Sequence, residues 1–155
     1  MKTSDFSRFL TQYLTHYLPV QRNLSSNTIR SYRDTFKLLL IFCRDEKGLN
    51  IAKLNLAKLD KKCIEDFLLW LTNTRGSSPS TYNQRLCAIH AFFAYVMTEE
   101  PAYMEQCILI SNIPSMVSPA PPAQYLTPEK LKHLLSMPDT STAKGRRHLV
   151  LLTVL

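Results

Sequence analysis

The chain has 155 residues, of which 45% are hydrophobic and 10% aromatic, so it can bury a core and lacks the composition of a disordered segment. Three glycines against nine prolines leave no material for a glycine-rich phosphate loop or dinucleotide fingerprint, and too few turns for a sandwich or barrel. A net charge of +7, no apolar run near the ~18 residues of a membrane span, and an N-terminus without a signal-peptide pattern read as a soluble, cytoplasmic protein with no membrane partner.

The hydrophobic period is helical almost throughout. The expected fold class is all-α: a four- to five-helix bundle, then a proline-rich linker, then an incomplete helical segment. Phe6, Phe9, Leu10, Tyr13 and Tyr17 predict a first helix over residues 4–17, ending against Pro19. Ser25, Ser26 and Asn27 offer N-caps for a long second helix that runs to Gly48, with Ile29, Tyr32, Phe36, Leu39, Leu40 and Cys43 inward. Asp60 caps a third, with Ile64, Phe67, Leu68 and Leu71 inward and Arg75-Gly76 closing it. Ser77-Ser78-Pro79-Ser80 opens a fourth, with Tyr82, Leu86, Ile89, Phe93 and Val96 inward and Pro101 as its stop. A shorter fifth spans Ala102–Ser111.

After Asn112 the composition changes. Four prolines between Ile113 and Pro122 read as an extended linker, and Leu126-Thr127-Pro128-Glu129 is a helix start with Thr127 as N-cap and Pro128 at the first helical position. That helix runs to about Met137. The run Leu149 to Leu155 is apolar on every side, a pattern that belongs inside a core, and the thirty or so residues after the linker are too few to build one. The expectation is a chain cut off inside a second domain.

Charge is distributed unevenly. Residues 1–60 carry ten Lys/Arg against five Asp/Glu, residues 61–112 four against five, and residues 113–155 five against two, which points to a polyanion-facing surface. At about 100° per residue, Arg30, Arg33, Lys37 and Arg44 share an arc of about 60° on the second helix, with Asp34 just off it and Thr28 and Ser31 near its start. A basic flank with small polar residues at its head suits a DNA major groove, where phosphates position and base edges specify. An ordinary solvated helix face gives the same pattern. The fourth helix repeats it, with Thr81, Asn83, Gln84 and Arg85 in polar first turns ahead of apolar later ones.

No enzyme constellation is visible. His16, His90, His133 and His148 are scattered without a neighbouring carboxylate or nucleophile in a recognisable spacing. Cys43, Cys63, Cys87 and Cys107 stand twenty or more residues apart without a CxxC pair and read as buried small hydrophobes, and no metal or cofactor site is expected. Tyr13, Tyr17, Tyr32, Tyr82 and Tyr95 fall on or beside apolar stripes, as core or rim residues do.

The order of segments resembles the N-terminal part of the tyrosine recombinase, or phage-integrase, family. The second-helix pattern T…Y…L..F is met by Thr28, Tyr32, Leu39 and Phe42. The fourth-helix pattern "t.n.rL.air.Ff.y" is followed from Thr81 through Asn83, Arg85, Leu86 and Phe92 to Tyr95. The Asn-Pro that ends the family's core-binding domain stands here as Asn112-Ile113-Pro114, and the catalytic-domain opening "LT.eE...Ll" is matched by Leu126 to Leu135. Gly145 to Leu152 looks like the next family helix.

The resemblance implies a core-binding, SAM-like DNA-binding domain over 1–112, a linker over 113–125 and the start of a catalytic domain over 126–155. It also implies that the second and fourth helices lie in major grooves, with DNA contact by Thr28, Arg30, Ser31, Arg33, Lys37, Arg44, Thr81, Asn83, Gln84 and Arg85. In the family a tyrosine attacks the scissile phosphate to form a 3′-phosphotyrosyl link; that tyrosine and its assisting cations lie downstream of Leu155, so no catalytic residue is expected in this chain. The implied partners are double-stranded DNA, and other recombinase subunits or a second copy of the chain through self-association. The alternative is a helical interaction module whose basic face meets an acidic protein.

Overall fold

The computed structural model describes residues 4–117 and 126–154, which form two compact units, Met1–Ser118 and Pro119–Leu155. The described residues hold seven α-helices and no strand, so the fold is all-α. In the first unit α1 spans Asp5–Gln12, α2 Ser26–Asp45, α3 Lys61–Asn73, α4 Pro79–Glu99 and α5 Met104–Ser111. Each of the first four begins on a capping side chain. Ser4, Ser25, Asp60 and Ser78 accept a hydrogen bond from the backbone N–H three residues on. Helices α2 and α3 end before glycines in the left-handed region, Gly48 and Gly76, both with φ of 62°, and α4 ends before Pro101.

The first helix differs from expectation. It does not stop at Pro19 but continues from Tyr13 to Gln21 as a π-helix with Pro19 inside it. In an α-helix the proline ring would meet the carbonyl four residues back, at Thr15; the wider π turn moves that carbonyl away, and only one backbone bond is lost. Burial supplies the reason to continue, because Tyr13 and Leu18 are both sealed in the core.

The core forms where α1, the π-helical segment, α2 and α4 meet. Phe92 sits among Phe6, Tyr13, Phe36 and Phe93 with ring centroids 4.9–5.9 Å apart, all tilted edge to face. The inward positions expected on α3 and α4 are all buried. On α2 the buried set is Thr35, Phe36, Leu39, Phe42 and Cys43, while Ile29, Tyr32 and Leu40 are only half-buried at its margin. Of the four cysteines, Cys87 is exposed, against expectation.

Three leucines without a helical period join this core. Short 3₁₀ turns at Ile51–Lys53 and Leu56–Lys58 carry Leu54, Leu56 and Leu59 to complete burial. The backbone of Leu56 and Leu59 is held from a distance. Asp5 Oδ1 accepts from the Leu56 N–H at 3.0 Å, while Gln106 Nε2 donates to the Leu56 and Leu59 carbonyls at 2.8 and 3.0 Å. The other oxygen of Asp5 accepts from the Tyr103 hydroxyl at 2.6 Å, which pushes that phenol up to about 12. Ile113 is buried too, so the chain leaves the core one residue later than the expected linker boundary. Pro119, Pro121 and Pro122 lie outside the described residues.

The Tyr13 hydroxyl is buried without a hydrogen-bond partner among the described residues, beside a cavity of about 170 Å³ lined by Tyr17, Arg22, Tyr32 and Ala91. Tyr13→Phe is therefore expected to stabilise the fold by about 1 kcal/mol, seen as a higher urea midpoint at unchanged slope. A lower midpoint would show that water in the cavity satisfies the hydroxyl.

In the second unit α6 spans Pro128–Ser136, capped by Thr127, and α7 spans Ala143–Val154. Gly145 packs so tightly that a Cβ there would overlap the Asp139 carbonyl oxygen, which makes glycine a requirement of this turn. The two helices cannot cover the apolar run of α7: Val150, Leu151 and Val154 are 61%, 53% and 81% exposed.

Candidate nucleic-acid interface

Helices α2 and α4 start in the same way. Ser25 Oγ accepts from the Thr28 N–H and lies 3.0 Å from the Thr28 hydroxyl, and Ser78 does the same for Thr81, at 3.1 Å between hydroxyls. Thr28 and Thr81 are thus held in matching caps at the heads of the two helices.

Along the outer face of α2, Arg30, Arg33 and Lys37 are exposed, and none of them makes an ion pair among the described residues. Arg33 and Lys37 border a shallow hollow with Leu10 and Leu14 on one side of the helix, where apolar stems can rest while the charged heads stay in water. Arg44 differs. Its guanidinium grips Asp45 through two bonds, at 2.6 and 3.1 Å, and each group reinforces the other's charged form. Its net charge is neutralised locally, so it adds little to a basic surface.

On the opposite side of α2 lies the start of α4. Gln84 Nε2 donates to Ser31 Oγ at 3.0 Å, and Arg85 Nη1 donates to the Ser31 carbonyl and to Thr35 Oγ1, both at 3.1 Å. The polar heads of the two helices are therefore one connected surface, with exposed Gln84 at its edge. Asn83 turns elsewhere: Nδ2 donates to the Met116 carbonyl and Oδ1 accepts from the Met116 N–H, each at 2.8 Å. The side-chain amide of Asn83 and one guanidinium nitrogen of Arg85, Nη1, are thus engaged within the protein.

Among the described residues no three His, Cys, Asp or Glu side chains gather as metal ligands. His90 donates from Nε2 to the Ile110 carbonyl at 3.0 Å, and burial holds its pKa below the usual imidazole range, so the ring is a neutral fastener between α4 and α5. No helix among the described residues is long and apolar enough to cross a membrane.

Residues 10–100 match the family described as phage integrase, N-terminal SAM-like domain. The chain belongs to the phage-integrase family of tyrosine recombinases. It is 36% identical over 146 residues to a putative integrase/recombinase, y4rC, of Sinorhizobium fredii, covering 94% of this chain and 44% of that protein. A second protein of the same strain, putative integrase/recombinase y4rD, is 32% identical over 138 residues, which is 89% of this chain and 49% of the relative. Tyrosine recombinase XerD of Listeria monocytogenes is 26% identical over 146 residues, or 94% and 46%. The chain thus spans less than half the length of these integrase-family relatives. No solved structure matches it.

Proposed function

We propose that the first unit grips duplex DNA as the N-terminal part of a site-specific tyrosine recombinase, with α2 in a major groove and the head of α4 beside it. The observation that carries this reading is α2 itself: Arg30, Arg33 and Lys37 stand exposed on one flank without ion pairs among the described residues, and the polar junction of Ser31 and Gln84 lies on the other flank. A helix is about as wide as the B-DNA major groove, so phosphates pass on both of its flanks. Arg30, Arg33 and Lys37 meet one strand; Thr81 and Gln84 face the other. Ser31 and Thr28 lie on the side that enters the groove. Helices α6 and α7 open the domain that carries strand cleavage and joining in the complete enzyme.

Counterion release supplies the test. With about four to six phosphates neutralised, log K for duplex DNA should fall against log salt with a slope near −4 to −5. A slope near zero, or no binding at low salt, would favour an interaction module for an acidic protein instead.

A further inference from the structure

The half-buried guanidinium of Arg85 sits where α4 crosses α2, without a carboxylate partner among the described residues. Nη1 reaches the Ser31 carbonyl and Thr35 Oγ1, and Nε is buried with no hydrogen-bond partner. Thr35 is fully buried; its hydroxyl donates to the Ser31 carbonyl at 3.1 Å and accepts from Arg85. Gln84 binds the Ser31 hydroxyl from the next position of α4. One residue of α2 is thus held through its backbone and its side chain at once.

Energetics make this arrangement a poor device for stability alone. Removing a guanidinium from water is costly, and a carbonyl with a hydroxyl offsets that cost less well than a carboxylate. An apolar side chain of similar length would fill the space without it. What a planar, forked donor adds is direction, because its bonds fix both the rotation and the axial offset of one helix against the other.

We propose that Arg85 is a positioning residue, which locks the register of α4 against α2 and so determines which DNA sequences the two helices discriminate. This rests on the reading of α2 and α4 as the DNA-contacting helices. Hydrogen bonds to base edges tolerate only a few tenths of an ångström, whereas long Lys and Arg side chains follow a phosphate through larger shifts. A slackened register therefore loses specificity before it loses grip.

The test uses the 155-residue chain. A preferred duplex is selected by the wild type from a random-sequence pool, and a scrambled duplex of equal composition is the comparison. Both are titrated at several salt concentrations with wild type, Arg85→Met, Arg85→Lys, Thr35→Val and Arg85→Met/Thr35→Val. Arg85→Met should cut the discrimination ratio about tenfold while the salt slope on the scrambled duplex stays unchanged. Thr35→Val should lower the ratio in the same direction, although a fully buried Thr35 cannot touch DNA, and the double variant should be no worse than Arg85→Met. Arg85→Lys should restore part of the ratio. Equal weakening on both duplexes with a slope reduced by about one would make Arg85 a direct phosphate contact and overturn the proposal, as would an unchanged ratio in Thr35→Val. A wild type that binds neither duplex fails the DNA reading itself, whereas one that binds both alike keeps that reading but leaves no discrimination for Arg85 to set; either outcome is visible before any variant is compared, and either overturns the proposal.

Discussion

Phe92→Ala is expected to bring the first unit close to unfolding. Its ring touches four other aromatic rings from α1, the π-helical segment, α2 and α4, and it is fully buried. Truncating a buried phenylalanine costs about 3–5 kcal/mol, through lost transfer energy and the cavity left behind, and a domain has only about 5–15 kcal/mol in total. The surrounding rings come from three separate stretches of chain, so they cannot close the hole without moving a helix. Urea unfolding followed by fluorescence of Trp70, which packs on Phe42 and Phe67 on the far side of this cluster, measures the loss. A loss below about 1 kcal/mol would show that the aromatic cluster is not where the helices are joined.

The helices of this protein were legible in the sequence because their causes are local. Ser25, Asp60, Ser78 and Thr127 each cap the helix that follows by reaching three residues forward, and the apolar positions of α3 and α4 repeat at the helical period. What was not legible depends on contacts far apart in the chain. Leu54, Leu56 and Leu59 have no period to give them away, and the backbone of Leu56 and Leu59 is held by Asp5 and Gln106, about fifty residues distant on either side. Pro19 reads as a stop by local rules, and the burial of Tyr13 and Leu18 overrides it.

The candidate interface divides in the same way. Exposure of Arg30, Arg33 and Lys37 follows from helix geometry, which sequence spacing carries. The engagement of Asn83 with Met116 and of Arg85 with Ser31 and Thr35 does not, because a residue type says what a side chain can bond and not which partner folding will bring to it. The one local hint at Arg85 is its position directly before Leu86, at the edge of the buried stripe of α4, where a long side chain turns inward as easily as outward.

Arg30→Ala, Arg33→Ala and Lys37→Ala combined should produce the largest loss of DNA binding available on this surface. Each phosphate contact releases about 0.9 counterion, so each contributes about 0.9 log units of affinity at 0.1 M salt and about 0.3 at 0.5 M. Removing three should weaken duplex binding about 500-fold at 0.1 M and only about sixfold at 0.5 M, and flatten the salt slope by about 2.7. The fold should not suffer, because all three side chains are exposed and none is paired among the described residues. A triple variant of equal charge change, Lys53→Ala, Lys58→Ala and Lys62→Ala, separates contact from net charge. Those lysines are exposed on the 3₁₀ turns and α3, outside the candidate interface. If both variants lose affinity alike, the +7 charge as a whole attracts DNA and α2 has no privileged place in binding. If only the α2 variant loses it, and loses it mostly at low salt, the outer face of α2 is where the duplex lies.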